Sequence, residues 1–364
     1  MKLQDIINVL EQMAPLAYAE DFDNVGLLVG DKDLDVKGVL VCHDALENVI
    51  NEAIIKNCNM VVCFHPILFS GLKKITGKNY VEKAIIKAIK NDIAIYAVHT
   101  ALDNDKNGVN KIFCNSLGLK NTTTLIKKEQ FIKKLVTYTT PENVIKLRTA
   151  LFEAGAGNIG NYENCSFSSK GLGTYMGNEN SNPEIGERFE FVEAQEIKIE
   201  VTYEKHLENK IISALFKNHV YEEVAYEIYN LQNKHQNIGL GMVGEFENEL
   251  SELEFLNLVK DKMQCQAIRH TQLLNKPIKR VAVLGGSGSY AIKNTIQEGV
   301  DAFITSDLKY HQFYEAENKI VILDIGHFES ERYTKNYIVD YLIKKIPNFA
   351  ITLSEKNTNP VKYF

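Results

Sequence analysis

The chain has 364 residues, of which 45% are hydrophobic and 24% charged, a balance typical of a globular protein with room for two or three domains. Its 47 acidic side chains outnumber its 41 basic ones, and the net charge of -6 argues against a protein that binds the nucleic-acid backbone through a basic face. No apolar run approaches the roughly 20 residues of a membrane-spanning helix.

The cysteines and the N-terminal residues indicate in which cell compartment the protein is expected. The six cysteines are scattered without a Cys-x-x-Cys pair, which argues against a Cys-rich zinc or disulfide scaffold. The N-terminal residues predict a helix and lack the apolar stretch of a signal peptide. We therefore expect a cytoplasmic protein with reduced thiols.

Residues 1–126 alternate between strand and helix patterns. Apolar runs at 38–42, 61–64 and 93–98 predict buried strands, and segments at 48–56 and 81–90 predict helices between them. Strands separated by helices of about ten residues indicate βαβ units and a parallel or mixed sheet.

Residues 127–237 have a different pattern of predicted strands and helices. Strand and helix patterns here follow the order strand, helix, strand, strand, helix, strand, with a polar Gly/Asn-rich region of short strands at 158–187. That order is the split βαβ pattern of ferredoxin-like α+β domains. We therefore expect a separate domain in the middle of the chain.

Residues 238–364 return to the α/β texture. Strands are predicted at 280–284, 302–305 and 320–323, with helices at 252–262 and 329–345. Two similar halves that flank a different module predict a discontinuous α/β core domain with mixed sheets, built from 1–126 and 238–364, and an inserted domain at 127–237.

Side chains of metal-binding types follow four of the predicted strands. They are His65, His99, Asp103, Asp307, His327 and Glu331. Parallel α/β sheets gather functional groups at the carboxyl ends of their strands, so these residues predict one shared metal site. Imidazole and carboxylate ligands without thiolate suit zinc, manganese or iron, and a carboxylate can bridge two ions.

His327 and Glu331 have the most informative spacing. Four residues apart, they share one helical face if the helix begins by His327, and Gly326 permits a sharp turn before it. The alternative is a surface pair at a helix start, where Glu331 complements the helix dipole. The other strand ends favour the metal interpretation, and His99 and Asp103 repeat the spacing.

Three further segments each have two interpretations. Asp307, Lys309 and His311 either orient ligands and bind substrate, or form a helix cap followed by an exposed face. The Gly-rich residues 285–289 either cradle an anion or make a tight turn, and they match no dinucleotide or Walker motif. The polar residues 21–27 are either a structural turn or part of the site mouth.

Together these residues resemble the Nif-three-like family of dinuclear metal-binding proteins, often labelled GTP cyclohydrolase type 2 homologues. The matching segments are 23–27, 64–66, 99–103, 285–288, 305–311 and 326–331. The resemblance implies two α/β halves around a di-metal site and assembly into homohexamers. It carries the metal-ligand roles over to His65, Asp103, His327 and Glu331, with Asp103 as the bridge.

One family ligand is missing from the chain. The family has His-His-Pro where this sequence has Phe64, His65 and Pro66. The second metal then binds weakly, recruits water, or uses His99, so we expect one or two divalent ions per chain. Ser306 replaces a glycine of the family.

The middle domain resembles the PII/CutA-like module of longer bacterial members. Residues 155–162 and 182–186 carry this resemblance, and 219–223 depart from it by one residue. It implies trimerisation and binding of a small ligand. The alternative is a lid or oligomerisation insert without a ligand.

Two functions from different classes follow. The first is a metal-dependent hydrolase that uses activated water on a small substrate, with Glu331 as the catalytic proton carrier and a nucleotide implied by the family label. The second is a non-catalytic metal- or ligand-sensing oligomeric scaffold that binds partner proteins. Neither membrane nor nucleic acid is an expected partner.

Overall fold

The computed structural model describes residues 1–364, which divide into two compact units. We call residues 1–127 and 237–364 the core unit, and residues 128–236 the inserted unit. The strands are β1 (Gly26–Val29), β2 (Val39–Asp44), β3 (Met60–His65), β4 (Ala94–Ala97), β5 (Lys120–Lys127), β6 (Ile132–Thr139), β7 (Phe167–Met176), β8 (Phe191–Glu204), β9 (Tyr226–Leu231), β10 (Gly239–Leu250), β11 (Arg269–His270), β12 (Ile278–Ser287), β13 (Ala302–Ser306), β14 (Val321–Asp324) and β15 (Ile351–Leu353).

The helices vary from one turn to three. They are α1 (Leu3–Met13), α2 (Glu47–Ile55), α3 (Tyr80–Lys90), α4 (His99–Asp103), α5 (Val109–Leu117), α6 (Val144–Glu153), α7 (Glu208–Asn218), α8 (Glu252–Lys262), α9 (Ile292–Gln297), α10 (His327–Glu331) and α11 (Thr334–Lys345). None of them combines the length and the apolar character that crossing a membrane requires.

The first sheet of the core unit has the strand order β1-β4-β3-β2-β15. All its pairings are parallel except that of β1 with β4. Val41 and Val62 pack toward α1 and α11, whereas Leu40 and Val61 pack toward α2 and α3. Because helices cover both faces, these strands are apolar throughout, as in other parallel sheets.

The second sheet has the order β11-β14-β13-β12-β10-β5. Strands β12, β13 and β14 are parallel, and the three outer strands pair antiparallel. The mixed α/β class with mixed sheets is therefore confirmed. The two halves of the core unit also exchange strands: β15 joins the first sheet, and β5 joins the second.

The inserted unit has the element order β6-α6-β7-β8-α7-β9 and the antiparallel sheet order β7-β8-β6-β9. This is the split βαβ arrangement. Its own core includes Leu135, Leu147, Ile199 and Leu215, which are all fully buried. The polar region that predicts short strands at 158–187 instead contains one ten-residue strand, β7, paired along its whole length with β8.

Two predictions about the C-terminal half need correction. The single helix predicted at 329–345 is two helices, α10 and α11, separated at residues 332–333. The side chains at the break are held by the end of α8, since Arg332 donates to the Met263 carbonyl and Tyr333 to the Lys262 carbonyl. The predicted Gly-rich loop begins inside β12, which continues to Ser287.

Candidate metal centre

His65 is the last residue of β3 and is oriented by its neighbour on β2. The strands are paired so that Asp44 lies beside His65, and Asp44 Oδ1 is 2.8 Å from His65 Nδ1. The other oxygen of Asp44 accepts a hydrogen bond of 2.5 Å from the Thr358 hydroxyl. A carboxylate on one ring nitrogen fixes the direction in which the other points, so Nε2 of His65 is available to the site.

His327 and Glu331 are the first and last residues of α10 and lie on the same face, as their spacing predicts. Gly326 precedes them at a φ of 94°, a conformation that favours glycine. His327 Nδ1 is 2.6 Å from Asp307 Oδ2, and its Nε2 is 3.3 Å from His65 Nε2. The carboxyl ends of the two sheets of the core unit therefore meet at these imidazoles.

The carboxylate of Glu331 lies between the two imidazoles. Its Oε2 atom is 3.3 Å from His65 Nε2 and 3.3 Å from His327 Nε2. Gly286 leaves the space for it, because a Cβ atom there would lie 2.5 Å from Glu331 Oε1. A side chain at this position would displace the carboxylate.

The glycine-rich segment is occupied by protein partners. The Gly285 N–H donates to Asn110 Oδ1 at 3.0 Å, and the Gly286 N–H donates to the Ser330 hydroxyl at 2.9 Å. Of the two interpretations of residues 285–289, the anion cradle is therefore not supported. Gly285 and Gly286 of this segment instead lie against the Glu331 side chain.

Asp103, the last residue of α4, adds a second carboxylate that interacts electrostatically with Glu331, His65 and His327, although it belongs to no trio of mutually close ligand atoms. Its Oδ1 atom is buried without a hydrogen-bond partner, and so is Oε2 of Glu331. Burial, and next the charge of Glu331, raise the pKa of Asp103 well above its ordinary value. Two carboxylates buried beside imidazoles indicate a place for a cation.

The imidazoles and Glu331 stabilise one another's charged forms. Burial would lower the pKa of His65, but Glu331 and Asp44 raise it to about 9. Against the same effect of burial, Glu331 and Asp307 raise the pKa of His327 to about 11. Burial would raise the pKa of Glu331, yet His65 and His327 hold it well below its usual range. Such ligands exchange protons for a metal ion.

The donor set fits a divalent metal. One nitrogen or oxygen atom each of His65, His327 and Glu331 lies within 4.8 Å of the others, and the same is true of His43, Asp44 and His65. Imidazole and carboxylate ligands suit zinc, iron and manganese. The sequence prediction missed His43 and Asp44, although they follow the predicted strand at 38–42 just as His65 follows its own strand.

His99 belongs to a neighbouring polar group. Its Nδ1 is 2.8 Å from Asp23 Oδ1, and the other Asp23 oxygen accepts from the Thr100 N–H at 3.1 Å and from the Thr100 hydroxyl. Asp23 therefore holds the start of α4, which supports the structural interpretation of residues 21–27. The His99 ring lies 5.3 Å from the His65 ring between centroids, but His99 joins neither trio of metal-ligand atoms.

The structure separates Asp307 from His311. Asp307 pairs with His327, consistent with an orienting role. His311 is exposed on a 3₁₀ helix, Tyr310–Ala316, where its ring packs against Tyr310 and Tyr314. His311 belongs to neither trio of ligand atoms and lines neither cavity beside His65, and its position fits the alternative of an exposed helix face.

Two cavities of about 300 Å³ each flank His65. The first, which we call the polar cavity, is lined mostly by residues of polar and charged types, which include His43, His327, Arg269, Asp324 and Tyr363. The second, which we call the apolar cavity, is lined mostly by residues of apolar and aromatic types, which include Leu46, Ile67, Phe69, Leu72 and Tyr80. Both volumes are at the lower end of the range for small-molecule sites.

Comparison with known proteins places this arrangement in a family. The family model described as Duf34/NIF3 (NGG1p interacting factor 3) matches residues 1–360. A Bacillus subtilis (strain 168) protein named GTP cyclohydrolase 1 type 2 homolog is 37% identical over 366 residues, covering 99% of this chain and 98% of that protein. A Halalkalibacterium halodurans protein of the same name is 35% identical over 368 residues, covering 99% and 98%.

Solved structures agree with the sequence match. A Bacillus cereus protein related to NIF3 has a TM-score of 0.87 and 34% identity, covering 100% of this chain and 99% of that chain. A Staphylococcus aureus protein has a TM-score of 0.79 and 29% identity over the same shares of the two chains. The family resemblance predicted from the motifs is confirmed, and the chain belongs to the Duf34/NIF3 family.

Proposed function

We propose that the protein is a metal-dependent hydrolase acting on a small molecule. The supporting observation is that the cluster of His65, His327 and Glu331 opens onto a cavity of about 300 Å³. These three residues and Asp103 would hold one or two divalent ions of zinc, iron or manganese. When bound, such an ion lowers the pKa of a coordinated water and polarises a substrate oxygen.

The protein's own groups have separate tasks in this proposal. Asp44 and Asp307 hold the imidazoles of His65 and His327 in one orientation through their Nδ1 atoms. Glu331 is the proposed catalytic residue, because its carboxylate lies at the centre of the cluster, 3.3 Å from Nε2 of both His65 and His327, and can exchange a proton with an attacking water.

The names of the relatives make GTP the first substrate to test. The two cavities beside His65 support a substrate with two different ends. Arg269, whose guanidinium also pairs with Asp324, lines the polar cavity, where phosphate oxygens can bind. Phe69 and Tyr80 offer ring surfaces at the apolar cavity, where a flat heterocycle can pack.

Turnover by metal-reconstituted protein tests the proposal. The chain is stripped with a chelator, reloaded with zinc, manganese or iron, and assayed with GTP and a panel of phosphoesters and amides. We expect metal-dependent turnover that falls at least about 100-fold in Asp103→Asn and Glu331→Gln. Glu247→Gln, the same kind of change at an exposed carboxylate of β10, is the matched control and keeps wild-type turnover.

Assembly and location belong to the same proposal. By analogy with the family, we infer a cytoplasmic homohexamer whose inserted unit is a PII/CutA-like module. Light scattering coupled to size-exclusion chromatography measures the mass directly. A particle of six 41.2 kDa chains is the expected result, and a monomer at micromolar concentration contradicts it.

The alternative function is a ligand-sensing scaffold without turnover. It is supported by a cavity of about 330 Å³ within the inserted unit, lined by residues that include Tyr175, Glu184, Glu196 and Tyr221. A scaffold predicts that Asp103→Asn and Glu331→Gln alter metal content or assembly, with no substrate of the panel turned over by any variant.

A further inference from the structure

We propose that His43 is a metal ligand, supplying from β2 the imidazole that Phe64 does not supply on β3. This inference rests on the proposed metal centre and deepens it, because it assigns a second cation position to the chain. It concerns a residue that neither the motif pattern nor the ligand spacing indicates.

The sheet places His43 beside Phe64. Strands β2 and β3 run parallel, with Cys42 opposite Cys63 and Asp44 opposite His65, so positions 43 and 64 are neighbours in the register. Side chains alternate along a strand, so both residues point to the same face of the sheet. Their ring centroids are 5.4 Å apart. An imidazole at 43 therefore reaches the region that an imidazole at 64 would reach.

His43 is a buried polar side chain without a hydrogen bond. It is 3% exposed, and neither Nδ1 nor Nε2 has a hydrogen-bond partner. Buried polar groups are normally hydrogen-bonded, so an imidazole whose closest polar contact is a carboxylate oxygen at 3.3 Å requires an explanation. Its ring neighbours are Phe64 and Phe328, which offer no acceptor, and His65, whose ring centroid lies 4.7 Å away and whose nitrogens face Asp44 and Glu331.

His43 also points at the cluster. Its Nε2 atom is 3.3 Å from Glu331 Oε2, the oxygen that lies 3.3 Å from His65 Nε2 and 3.3 Å from His327 Nε2. One carboxylate oxygen is thus surrounded by three ring nitrogens at equal distance. These imidazoles and the carboxylate are ligand types that bind a cation once the rings release their protons.

The ligand atoms form two overlapping groups. His43, Asp44 and His65 lie within 4.8 Å of one another, as do His65, His327 and Glu331. The groups share His65 and offer two neighbouring cation positions. A carboxylate that faces both groups can bridge two ions, as in other two-metal sites.

His99, the other histidine near Phe64, is less suited to replace the missing imidazole. Its Nδ1 is paired with Asp23 at 2.8 Å, and it joins neither group of ligand atoms. His43 is not paired with a carboxylate outside the cluster, and its Nε2 atom contacts Glu331 directly. The geometry therefore favours β2 over α4 as the source of the ligand.

Metal stoichiometry of the full-length chain tests the inference without any activity assay. The variants are His43→Leu, which keeps an apolar volume, His43→Gln, which keeps a hydrogen-bonding group for Glu331, and His43→Leu combined with Phe64→His. Each is equilibrated with chelator-buffered zinc, and zinc per chain is determined by elemental analysis. Circular dichroism and thermal melting verify that each variant is folded.

We expect two zinc ions per wild-type chain and about one in both His43→Leu and His43→Gln. The double variant is expected to regain the second ion, because the imidazole returns on β3. Its recovery also separates a lost ligand from a damaged fold, since both positions are changed.

Two results would overturn the inference. If His43→Leu and His43→Gln keep two ions at unchanged affinity, His43 only packs against the cluster, and the proposed hydrolase is untouched. If the wild type and all variants hold no zinc, manganese or iron at micromolar free metal, the proposed metal centre fails and this inference fails with it.

Discussion

Strand β3 of the core unit and strand β7 of the inserted unit differ in where they expose polar side chains. Five of the six residues of β3 are buried, and its polar group, His65, is the last residue. Eight of the ten residues of β7 are exposed, with polar and apolar side chains mixed along its length. A strand covered by helices on both faces can present chemistry only at its end, whereas an antiparallel edge strand presents its whole length.

The comparison explains where the two units place their polar groups. In the core unit, β2, β3 and α10 bring His43, His65 and Glu331 together although they are far apart in the chain. In the inserted unit, the cavity forms along β7 and the loops beside it. Parallel strands therefore concentrate functional groups at a point, and the edge of the inserted sheet distributes them over a surface.

The largest expected effect compares two phenylalanines. Phe64 on β3 is 0% exposed and Phe167 on β7 is 67% exposed. Phe64→Ala removes a fully buried ring and is expected to lower the free energy of unfolding by about 3–5 kcal/mol. Phe167→Ala is expected to change it by no more than about 0.5 kcal/mol. Urea unfolding of chelator-treated protein measures both.

Leu215→Ala is the control within the inserted unit. Leu215 is fully buried in that unit's own core, so its truncation is expected to cost about 2–5 kcal/mol. If Phe167→Ala costs as much as Leu215→Ala, strand β7 is covered by another chain in solution, and the contrast between the two strands is wrong.

The next effect compares two glycines. Gly286 has a φ of +70°, and a Cβ there would lie 2.5 Å from Glu331 Oε1. Gly286→Ala is therefore expected to displace the carboxylate and weaken metal binding by about 10–100-fold, the range found when groups that support metal ligands are lost. Competition with a fluorescent chelator measures the affinity.

Gly171 on β7 provides the matched control. An added Cβ at Gly171 meets no atom within 4 Å, so Gly171→Ala is expected to leave metal affinity unchanged. Equal affinities for the two alanine variants would mean that Glu331 does not need the space beside Gly286.

A third effect compares two carboxylates as the pH changes. Burial would raise the pKa of Asp23, but His99 and Thr100 lower it from 3.8 to about 2. A lowered folded-state pKa contributes stability that is present above about pH 4 and is lost as pH falls through about 2. Asp23→Asn is expected to cost about 1–2 kcal/mol at pH 7, with partial solvent screening allowed for.

The carboxylate for comparison is Glu200 on β8 of the inserted unit. It pairs with Lys134 at 3.1 Å and with Lys198, and such surface pairs contribute little. Glu200→Gln is expected to cost less than about 0.5 kcal/mol at pH 7. Unfolding curves at pH 7, 5 and 3 measure both variants. If the stability that Asp23→Asn loses relative to wild type at pH 7 is no longer lost at pH 5, the lowered pKa of Asp23 is not its source.

Elements with an unbroken apolar period could be predicted from the sequence. The helix predicted at 252–262 matches α8, and the helix predicted at 81–90 matches α3 to within one residue. Pairing between distant strands could not be predicted, since nothing local to β15 indicates that Leu353 pairs with Val41 on β2. The length of β7 was missed because exposure on both faces removes the alternation that marks a half-buried strand.

The same division between local patterns and distant contacts applies to the site. His327 and Glu331 are related by helical spacing, which is local, so their proximity could be predicted. His43 follows a predicted strand as His65 does, but its contact with Glu331, 288 residues later in the chain, could not be predicted because it depends on tertiary packing. The two interpretations of His311 could not be separated from the sequence, because a polar residue after a strand need not point back toward the sheet end.

The smallest expected effect concerns Thr358, which contacts a proposed metal ligand only through Asp44. The Thr358 hydroxyl donates to Asp44, which in turn orients His65, so Thr358→Val removes a donor at nearly constant volume. Because the change acts through two hydrogen bonds, we expect zinc affinity to fall less than about 10-fold, below the usual cost of losing a ligand's direct partner. Thr202→Val on β8 is the control and should leave the affinity unchanged. A loss greater than 100-fold in Thr358→Val would mean that the C-terminal segment holds the whole cluster in place, and that the end of a parallel strand is not by itself enough to fix its chemistry.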